Sequence, residues 1–360
     1  MEHFICRTKI FTGAGSVACL KELESQRLLV VADPYFEKDG TAARLAQLSG
    51  ARETKLFSKV RPDPSVELAA EGTALIRDFQ PDTVVALGGG SAMDCAKAMV
   101  YFAQKPVRLV AIPTTSGSGS EVTDFAILTH NQTKHPLVDE KLRPNVAILD
   151  SDLLQKLPKS LIADTGFDVL SHAMEAFVAA DSSPITDALA KEAFCIGYGA
   201  LPASFAGCLE VRGRIHAAAT MAGLAFTHAG LGLCHAVAHS LGGLFHIPHG
   251  RLNAILLPAV LDCNAHLCGS KYAALARAAG IPGASDTVAV RNLKNGLVRL
   301  RRELGMPQDL KEAGVDPAQV RFHTPAIVEA ALADPCCKTN PLPVEDFMIR
   351  RVLEEVSGRG

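Results

Sequence analysis

The stretch DTVVALGGGSAMDCAK, residues 82–97, joins an apolar run to a helical pattern through three consecutive glycines. Similar apolar runs recur on both sides of this stretch and alternate with segments of helical periodicity. Such alternation predicts parallel strands that are covered by helices on both faces of a sheet. The predicted strands are 27–34, 82–91, 107–116 and 145–150, and the predicted helices between them are 65–79 and 91–103.

The sequence pattern changes near residue 155, where strand patterns end and long segments rich in alanine and leucine begin. These segments predict helices. The expected architecture is therefore an α/β nucleotide-binding domain, residues 1–155, followed by an all-helical domain, residues 156–360. A chain of 360 residues is long enough for two such domains.

Composition and charge exclude several classes of function. The 36 lysines and arginines balance 38 aspartates and glutamates, so no basic face is expected and nucleic acid is an unfavoured partner. The longest apolar stretches are too short to cross a bilayer, and the N-terminus lacks the pattern of a secretory signal. Ten cysteines occur without a CxxC pair, which is typical of reduced thiols. We expect a soluble cytoplasmic protein of the size of an enzyme, without a membrane segment.

The glycine turn predicts a site for an anion such as a pyrophosphate, because glycines allow close approach and helical N–H groups attract negative charge. Ser91 would be the N-cap of the following helix. The structural alternative is a plain turn with a capping box between Ser91 and Asp94. Asp94 and Lys97 are ambiguous: Asp94 could be a cap and Lys97 a surface charge, or both could contact the nicotinamide side of a cofactor. The residues of the turn are Gly88, Gly89, Gly90 and Ser91.

Two other strand ends support a dinucleotide site. Asp33 follows the first strand, where an acid can accept hydrogen bonds from ribose hydroxyls and repel a 2′-phosphate, which favours NAD over NADP. The hydroxyl-rich loop after residue 113 would supply Thr114, Thr115 and Ser118. Asp33 precedes the glycines, whereas in the usual Rossmann unit the acid follows them. The cofactor domain is therefore expected to be an unusual one.

The helical part of the chain contains a set of residues with metal-ligand spacing. Asp168 and His172 stand four residues apart, as do His235 and His239, so each pair lies on one face of a predicted helix. His249, between a proline and a glycine, is expected in a turn. An acid with several imidazoles suits a first-row divalent ion such as iron or zinc. Spacing alone does not select four ligands from these five residues, and a catalytic site keeps one position open.

The chain resembles the group III, iron-containing alcohol dehydrogenases, and the resemblance extends over essentially its whole length. It resembles in particular the branch that belongs to bacterial propanediol-utilisation microcompartments. The matching segments are GGGSAMDCAK (88–97), IPTTSGSGSEVT (112–123), NVAILD (145–150), GFDVLSHAMEAF (166–177), AGLAFTHAGLGLCHAVAHSLGG (222–243), PHGRLNAILLP (248–258) and KTNPLP (338–343).

The resemblance implies a dehydroquinate-synthase-like fold and a role for each candidate residue. It places His239 beside the metal as a residue near the nicotinamide and the reacting oxygen, and it makes His228 and His246 non-ligands. Lys134 would lie near the nicotinamide ribose, and Asp63 stands where relatives often have Asn near the cofactor. The implied metal ligands are Asp168, His172, His235 and His249. The implied cofactor contacts are Asp33, Asp63, Gly88, Gly89, Gly90, Ser91, Asp94, Thr114, Thr115, Ser118 and Lys134.

The implied function is reversible, NADH-dependent reduction of a short-chain aldehyde to a primary alcohol, with ferrous iron as the expected metal and zinc as the alternative. Propionaldehyde or acetaldehyde is the expected substrate, and the expected assembly is a homodimer or larger homo-oligomer. Location inside a microcompartment, with shell or cargo proteins as partners, is a further expectation. Two alternatives stay open: a glycerol or diol dehydrogenase of the same superfamily, and a microcompartment docking subunit.

Overall fold

The computed structural model describes residues 4–131 and 133–358. The chain divides into two compact units, with the boundary between residues 157 and 158 rather than at the expected 155/156. The first unit comprises residues 5–157 and the second residues 158–358 together with Phe4.

The first unit contains a six-stranded sheet in which every pairing is parallel. The predicted parallel sheet is thereby confirmed, although its strands end earlier than expected, because the residues after them belong to loops and helix caps. The strand order is β1-β8-β5-β4-β2-β3, and β6 and β7 form a separate antiparallel hairpin. The strands are β1 Lys9–Thr12, β2 Arg27–Ala32, β3 Glu53–Phe57, β4 Thr83–Gly88, β5 Arg108–Pro113, β6 Phe125–His130, β7 Thr133–Val138 and β8 Val146–Leu149.

Helices cover both faces of this sheet, and each face has its own apolar core. One core is built on Leu29, Val84 and Met99, and the other on Leu28, Val85 and Ile112. Alternate residues of β2 and β4 therefore enter opposite cores, as expected for strands that are buried on both sides. The helices of the unit are α1 Pro34–Lys38, α2 Thr41–Ser49, α3 Val66–Phe79 and α4 Gly90–Ala103.

The predicted N-cap of α4 is wrong. The helix begins at Gly90 with Gly89 as its N-cap, so Ser91 lies inside the first turn and the capping box with Asp94 is absent. Gly89 has no side chain, and a Cβ there would lie 3.1 Å from Thr115 Oγ1. The missing side chain lets the turn pack against the neighbouring loop and start the helix earlier.

The sequence did not predict the β6–β7 hairpin, which a buried lysine of α4 helps to hold. The Lys97 side chain is 1% exposed, so a surface position is excluded. Its ammonium group donates to Ser120 Oγ, to Thr123 O and Oγ1, and to Phe125 O, all at 2.9–3.0 Å. Burial lowers the pKa of Lys97 to about 8, although the negative charge of Asp94 raises it. Lys97 therefore ties α4 to the start of the hairpin.

Replacing Lys97 by methionine should lower the free energy of unfolding by about 3–5 kcal/mol. The change leaves buried oxygen atoms without a hydrogen-bond donor and leaves Asp94 without the opposing charge of the ammonium group. Urea unfolding would measure the loss. Lys105→Met, at an exposed lysine just after α4, should change the free energy by less than about 0.5 kcal/mol. Equal stabilities of the two variants would contradict this interpretation of Lys97.

The second unit is helical, as predicted. One of its helices, α9, is by itself long and apolar enough to cross a bilayer, yet 67% of its most apolar window is buried in the protein. Such burial is typical of a core helix. The helices are α5 Lys159–Val178, α6 Pro184–Ala206, α7 Glu210–Ala229, α8 Leu233–Phe245, α9 His249–Ala278, α10 Asp286–Glu303, α11 Pro317–Ala333 and α12 Asp346–Val356.

Candidate metal and cofactor sites

The glycine turn and the hydroxyl-rich loop after residue 113 lie together at the carboxyl edge of the sheet. Thr114 N donates to Gly88 O at 2.9 Å, and a Cβ on Gly90 would lie 3.4 Å from the Ser118 side chain. Gly88 has a φ of 152°, and a Cβ there would lie 2.6 Å from the Ala92 side chain, so glycine is required. The two loops thus form one polar surface next to the first N–H groups of α4.

Asp33 lies on the neighbouring strand end. The register pairs Ala32 with Leu87, so Asp33 follows β2 at the level of the glycine turn. The chain leaves β2 toward β3 and leaves the adjacent β4 toward β5, which lies in the opposite direction. The ends of β2 and β4 therefore form a topological switch point, where open parallel sheets bind ligands. One Asp33 oxygen caps α1 by accepting from Tyr35 N at 2.7 Å. The second oxygen has no partner among the hydrogen bonds of the described residues.

The other predicted cofactor residues have partners within the unit. Lys134 forms an ion pair of 2.7 Å with Asp63, whose φ of 54° is in the left-handed region. Asp94 accepts from Ser120 Oγ at 3.1 Å, and burial raises the pKa of Asp94 to about 6 against the opposing charge of Lys97. The ion pair could not be predicted from the sequence, since its partners lie on separate segments.

The structure brings four of the five candidate metal residues together. Asp168 and His172 are on α5, His235 is on α8, and His249 is on α9. One ligand atom from each of the four residues lies within 4.8 Å of the others. Asp168 Oδ1 is 3.8 Å from His172 Nε2 and 3.6 Å from His249 Nε2. Several such donors around one point suit a divalent ion such as iron.

The expected turn at His249 is wrong, because this residue is the first of α9. Pro248 is the N-cap, and its fixed φ allows a helix to begin directly after it. The next residue, Gly250, lets α9 approach α5 closely, since a Cβ there would lie 2.0 Å from Asp164 O. This contact brings His249 next to Asp168.

A buried carboxylate that sequence reasoning missed holds His235. Glu175 of α5 accepts hydrogen bonds from Gly232 N at 3.0 Å and Cys234 N at 2.7 Å, at the start of α8. Its Oε2 is also 2.6 Å from His235 Nδ1. This contact assigns the proton to Nδ1 and leaves the Nε2 lone pair free to face the other three residues of the cluster. Burial raises the pKa of Glu175 to about 7, against the backbone hydrogen bonds.

The surroundings of the four residues fit a bound cation. The Nδ2 atom of the fully buried Asn253 lies 3.0 Å from Asp168 Oδ1, 3.3 Å from His235 Nε2 and 3.1 Å from His249 Nε2. Three acceptors therefore converge on one position. His172 Nδ1 is a buried atom without a hydrogen-bond partner. Burial also lowers the pKa of His235 and His249, which keeps both imidazoles neutral, as metal ligation requires.

His239 lies beside this cluster but outside it. Its ring stacks on His249 with 5.2 Å between centroids, and its Nδ1 is 2.8 Å from Asp334 Oδ2. Although burial raises the pKa of Asp334, the hydrogen bond from His239 and its charge lower that pKa to about 2. Two other histidines are also outside the four-residue cluster: His246 is the C-cap of α8, and the ring of His228 packs on Phe4.

Comparisons with known proteins agree along the whole chain. Residues 7–151 match the model of the iron-containing alcohol dehydrogenase family, and residues 162–356 match that of its C-terminal domain. The chain is 39% identical to the 1-propanol dehydrogenase PduQ of Salmonella typhimurium, with 99% of this chain and 100% of that protein covered. It is 36% identical to an NADPH-dependent butanol dehydrogenase of Clostridium saccharobutylicum, with 98% and 97% covered.

A solved structure gives the same result. The sulfoacetaldehyde reductase of Bifidobacterium kashiwanohense, in complex with NAD+, has a TM-score of 0.90, is 27% identical, and is covered completely, as is this chain. The parallel sheet and helical unit correspond to the dehydroquinate-synthase-like fold, and the relatives are alcohol dehydrogenases and reductases of small carbonyl compounds. The chain belongs to the iron-containing alcohol dehydrogenase family.

Proposed function

We propose that this alcohol dehydrogenase reduces a short-chain aldehyde, such as propionaldehyde or acetaldehyde, to the primary alcohol. Its cofactors are iron and NAD(H). The observation that carries the proposal is the four-residue cluster, which offers one carboxylate and three imidazoles around one point. Asp168, His172, His235 and His249 would hold ferrous iron, and this donor set does not exclude zinc. Iron supplies a Lewis acid for a carbonyl oxygen, and NADH supplies the hydride.

Side chains of the helical unit prepare this chemistry. Glu175 and Asn253 orient the ligands, and Phe226 stacks on His172 at 4.5 Å, which excludes water from one side of that imidazole. Asp334 holds the Nδ1 proton of His239, so the Nε2 atom is left to exchange a proton. His239 is therefore assigned as the proton-transferring residue.

The α/β unit would hold the dinucleotide at the carboxyl edge of its sheet. The glycine turn and α4 would bind the pyrophosphate, and the free oxygen of Asp33 would accept a ribose hydroxyl. Thr114, Thr115 and Ser118 add hydroxyl groups to the same surface, and Asp94, Asp63 and Lys134 complete the proposed contacts. We further propose a homo-oligomer and, from the resemblance to the propanediol-utilisation branch, location in the cytoplasm within a microcompartment.

Asp33→Ser should shift cofactor preference toward NADPH by about tenfold or more, because the change removes the charge that would repel a 2′-phosphate. Serine is also a good N-cap, so α1 should remain intact. The measurement is the ratio of kcat/KM for NADH and NADPH. Glu37→Gln, which neutralises an acid on the same short helix, should leave the ratio unchanged. An unchanged ratio in Asp33→Ser would contradict the assigned role.

The proposed function is tested on protein purified without oxygen, by metal analysis and NADH-dependent reduction of propionaldehyde before and after chelation. About one iron per chain, with activity lost on chelation and restored by ferrous ion, is the expected result. Much faster oxidation of glycerol than of 1-propanol would instead support the diol dehydrogenase alternative. Stoichiometric zinc without aldehyde reduction would overturn the proposal.

A further inference from the structure

A second group of metal-binding side chains lies beside the proposed iron site. The group consists of His239, Asp334 and Cys336, and one ligand atom from each lies within 4.8 Å of the others. It offers a nitrogen, an oxygen and a sulfur, which is a donor set typical of zinc. The proposed iron site contains no sulfur ligand, so the two groups differ in chemistry.

Local structure fixes the three side chains. Asp334 lies between α11 and the 3₁₀ turn 335–339, and it caps this turn by accepting from Cys336 N at 2.8 Å through Oδ1. Its other oxygen, Oδ2, faces His239 Nδ1 at 2.8 Å. The next residue, Cys337, is not part of the group, since its Sγ donates to Ala331 O at 3.0 Å. The backbone turn thus selects one of two adjacent thiols.

The group is sheltered but open to an ion. The side chain of His239 is 27% exposed and that of Asp334 is 14% exposed, and Cys336 is half-buried. Burial raises the pKa of the Cys336 thiol, so the protein alone keeps this sulfur protonated. A divalent cation would supply the missing positive charge and displace the thiol proton.

We propose that His239, Asp334 and Cys336 form a second metal site, which takes one borderline divalent cation such as zinc or cobalt. Binding forms bonds from the ion to Cys336 Sγ, to Asp334 Oδ2 and to His239 Nδ1. The thiol proton goes to solvent, and the imidazole proton moves from Nδ1 to Nε2. Three protein ligands leave one position for water, which is the pattern of an open zinc site.

The second ion inhibits the enzyme. With its Nδ1 on the ion and its Nε2 protonated, His239 has no lone pair left for proton transfer. This consequence rests on the proposed function, whereas binding of the ion does not. Cobalt separates the two, because a cobalt–thiolate bond gives a charge-transfer absorption that no ligand of the proposed iron site can produce.

The test uses full-length protein that is first freed of metal and then titrated with Co²⁺ to two equivalents. Only the second group contains a sulfur, so the thiolate–cobalt absorption reports on that group whichever site fills first. The thiolate–cobalt absorption should appear in the wild-type protein and in Cys337→Ala. It should be lost in Cys336→Ala and Cys336→Ser and weakened in Asp334→Asn.

Each outcome of these measurements bears on the second site, on the role of His239 or on the proposed function. No thiolate band in the wild-type protein, or a band that persists in both Cys336 variants, would overturn the second site. Excess zinc, added immediately before the assay so that bound iron has no time to exchange, should inhibit propionaldehyde reduction by the iron-loaded wild-type and Cys337→Ala proteins but not by Cys336→Ser. A band without inhibition would retain the metal site and refute the role of His239. Absence of aldehyde reduction in every protein would refute the proposed function while the band still tests the site.

Discussion

Asp168→Asn should leave the protein without iron and lower aldehyde reduction by at least about a hundredfold. Asp168 is the only carboxylate among the four proposed ligands, and its Oδ1 is the atom to which His172, His249 and Asn253 are all directed. An amide of the same shape removes the negative charge that ferrous iron prefers. The fold should survive, since volume is conserved. The measurement is iron content and kcat/KM of the purified variant.

Asp164→Asn is the matched control for this prediction. It lies one turn earlier on α5, in a bidentate contact with Arg251 at 2.9 and 3.1 Å. Because Asp164 is not among the four proposed ligands, this variant should keep its iron even if its stability falls. Iron bound equally by both variants would show that Asp168 is not a ligand.

Glu175→Gln should weaken iron binding by about 10–100-fold, because the carboxylate fixes the tautomer and the ring orientation of His235. It should also lower the free energy of unfolding of the metal-free protein by about 1–3 kcal/mol, since an amide cannot accept from every donor at the start of α8. Competition with a chelating dye measures the first effect, and urea unfolding of the metal-free protein measures the second.

The two measurements separate orientation from packing. If Glu175 served only to cap α8, stability would fall while the affinity for iron, measured on the folded protein, stayed unchanged. Glu192→Gln, at an exposed position on α6, should change neither quantity. Retention of both quantities in Glu175→Gln would contradict the structure-based role of this residue.

Periodicity predicted the parallel sheet and the helical unit because strands buried on both faces and long amphipathic helices leave strong local patterns. The hairpin β6–β7 was missed because its segment mixes polar and apolar residues and carries no tight-turn dipeptide. The starts of α4 and α9 were misjudged for a related reason. In both helices a glycine or a proline, rather than a polar side chain, provides the N-cap.

Within the proposed metal site, helical spacing indicated Asp168 with His172, and the resemblance to a family separated His235 from His239. Whether these residues bind iron stays a prediction. Glu175 and Asn253 could not be found from spacing, since a buried polar residue on an apolar helix face does not reveal its partner. Asp334 is 95 positions from His239. Only the packing of α8 against the segment after α11 brings these two side chains together.

The residues of the four-residue cluster lie on α5, α8 and α9, so the cluster exists only while these helices are packed together. An ion that binds this arrangement and not the open chain stabilises the unit by mass action, and increasingly so as its concentration rises. Iron supply would then govern the lifetime of the protein as well as its turnover rate. In an iron-starved cell the metal-free helical unit should open more often, and degradation by proteases should clear it first.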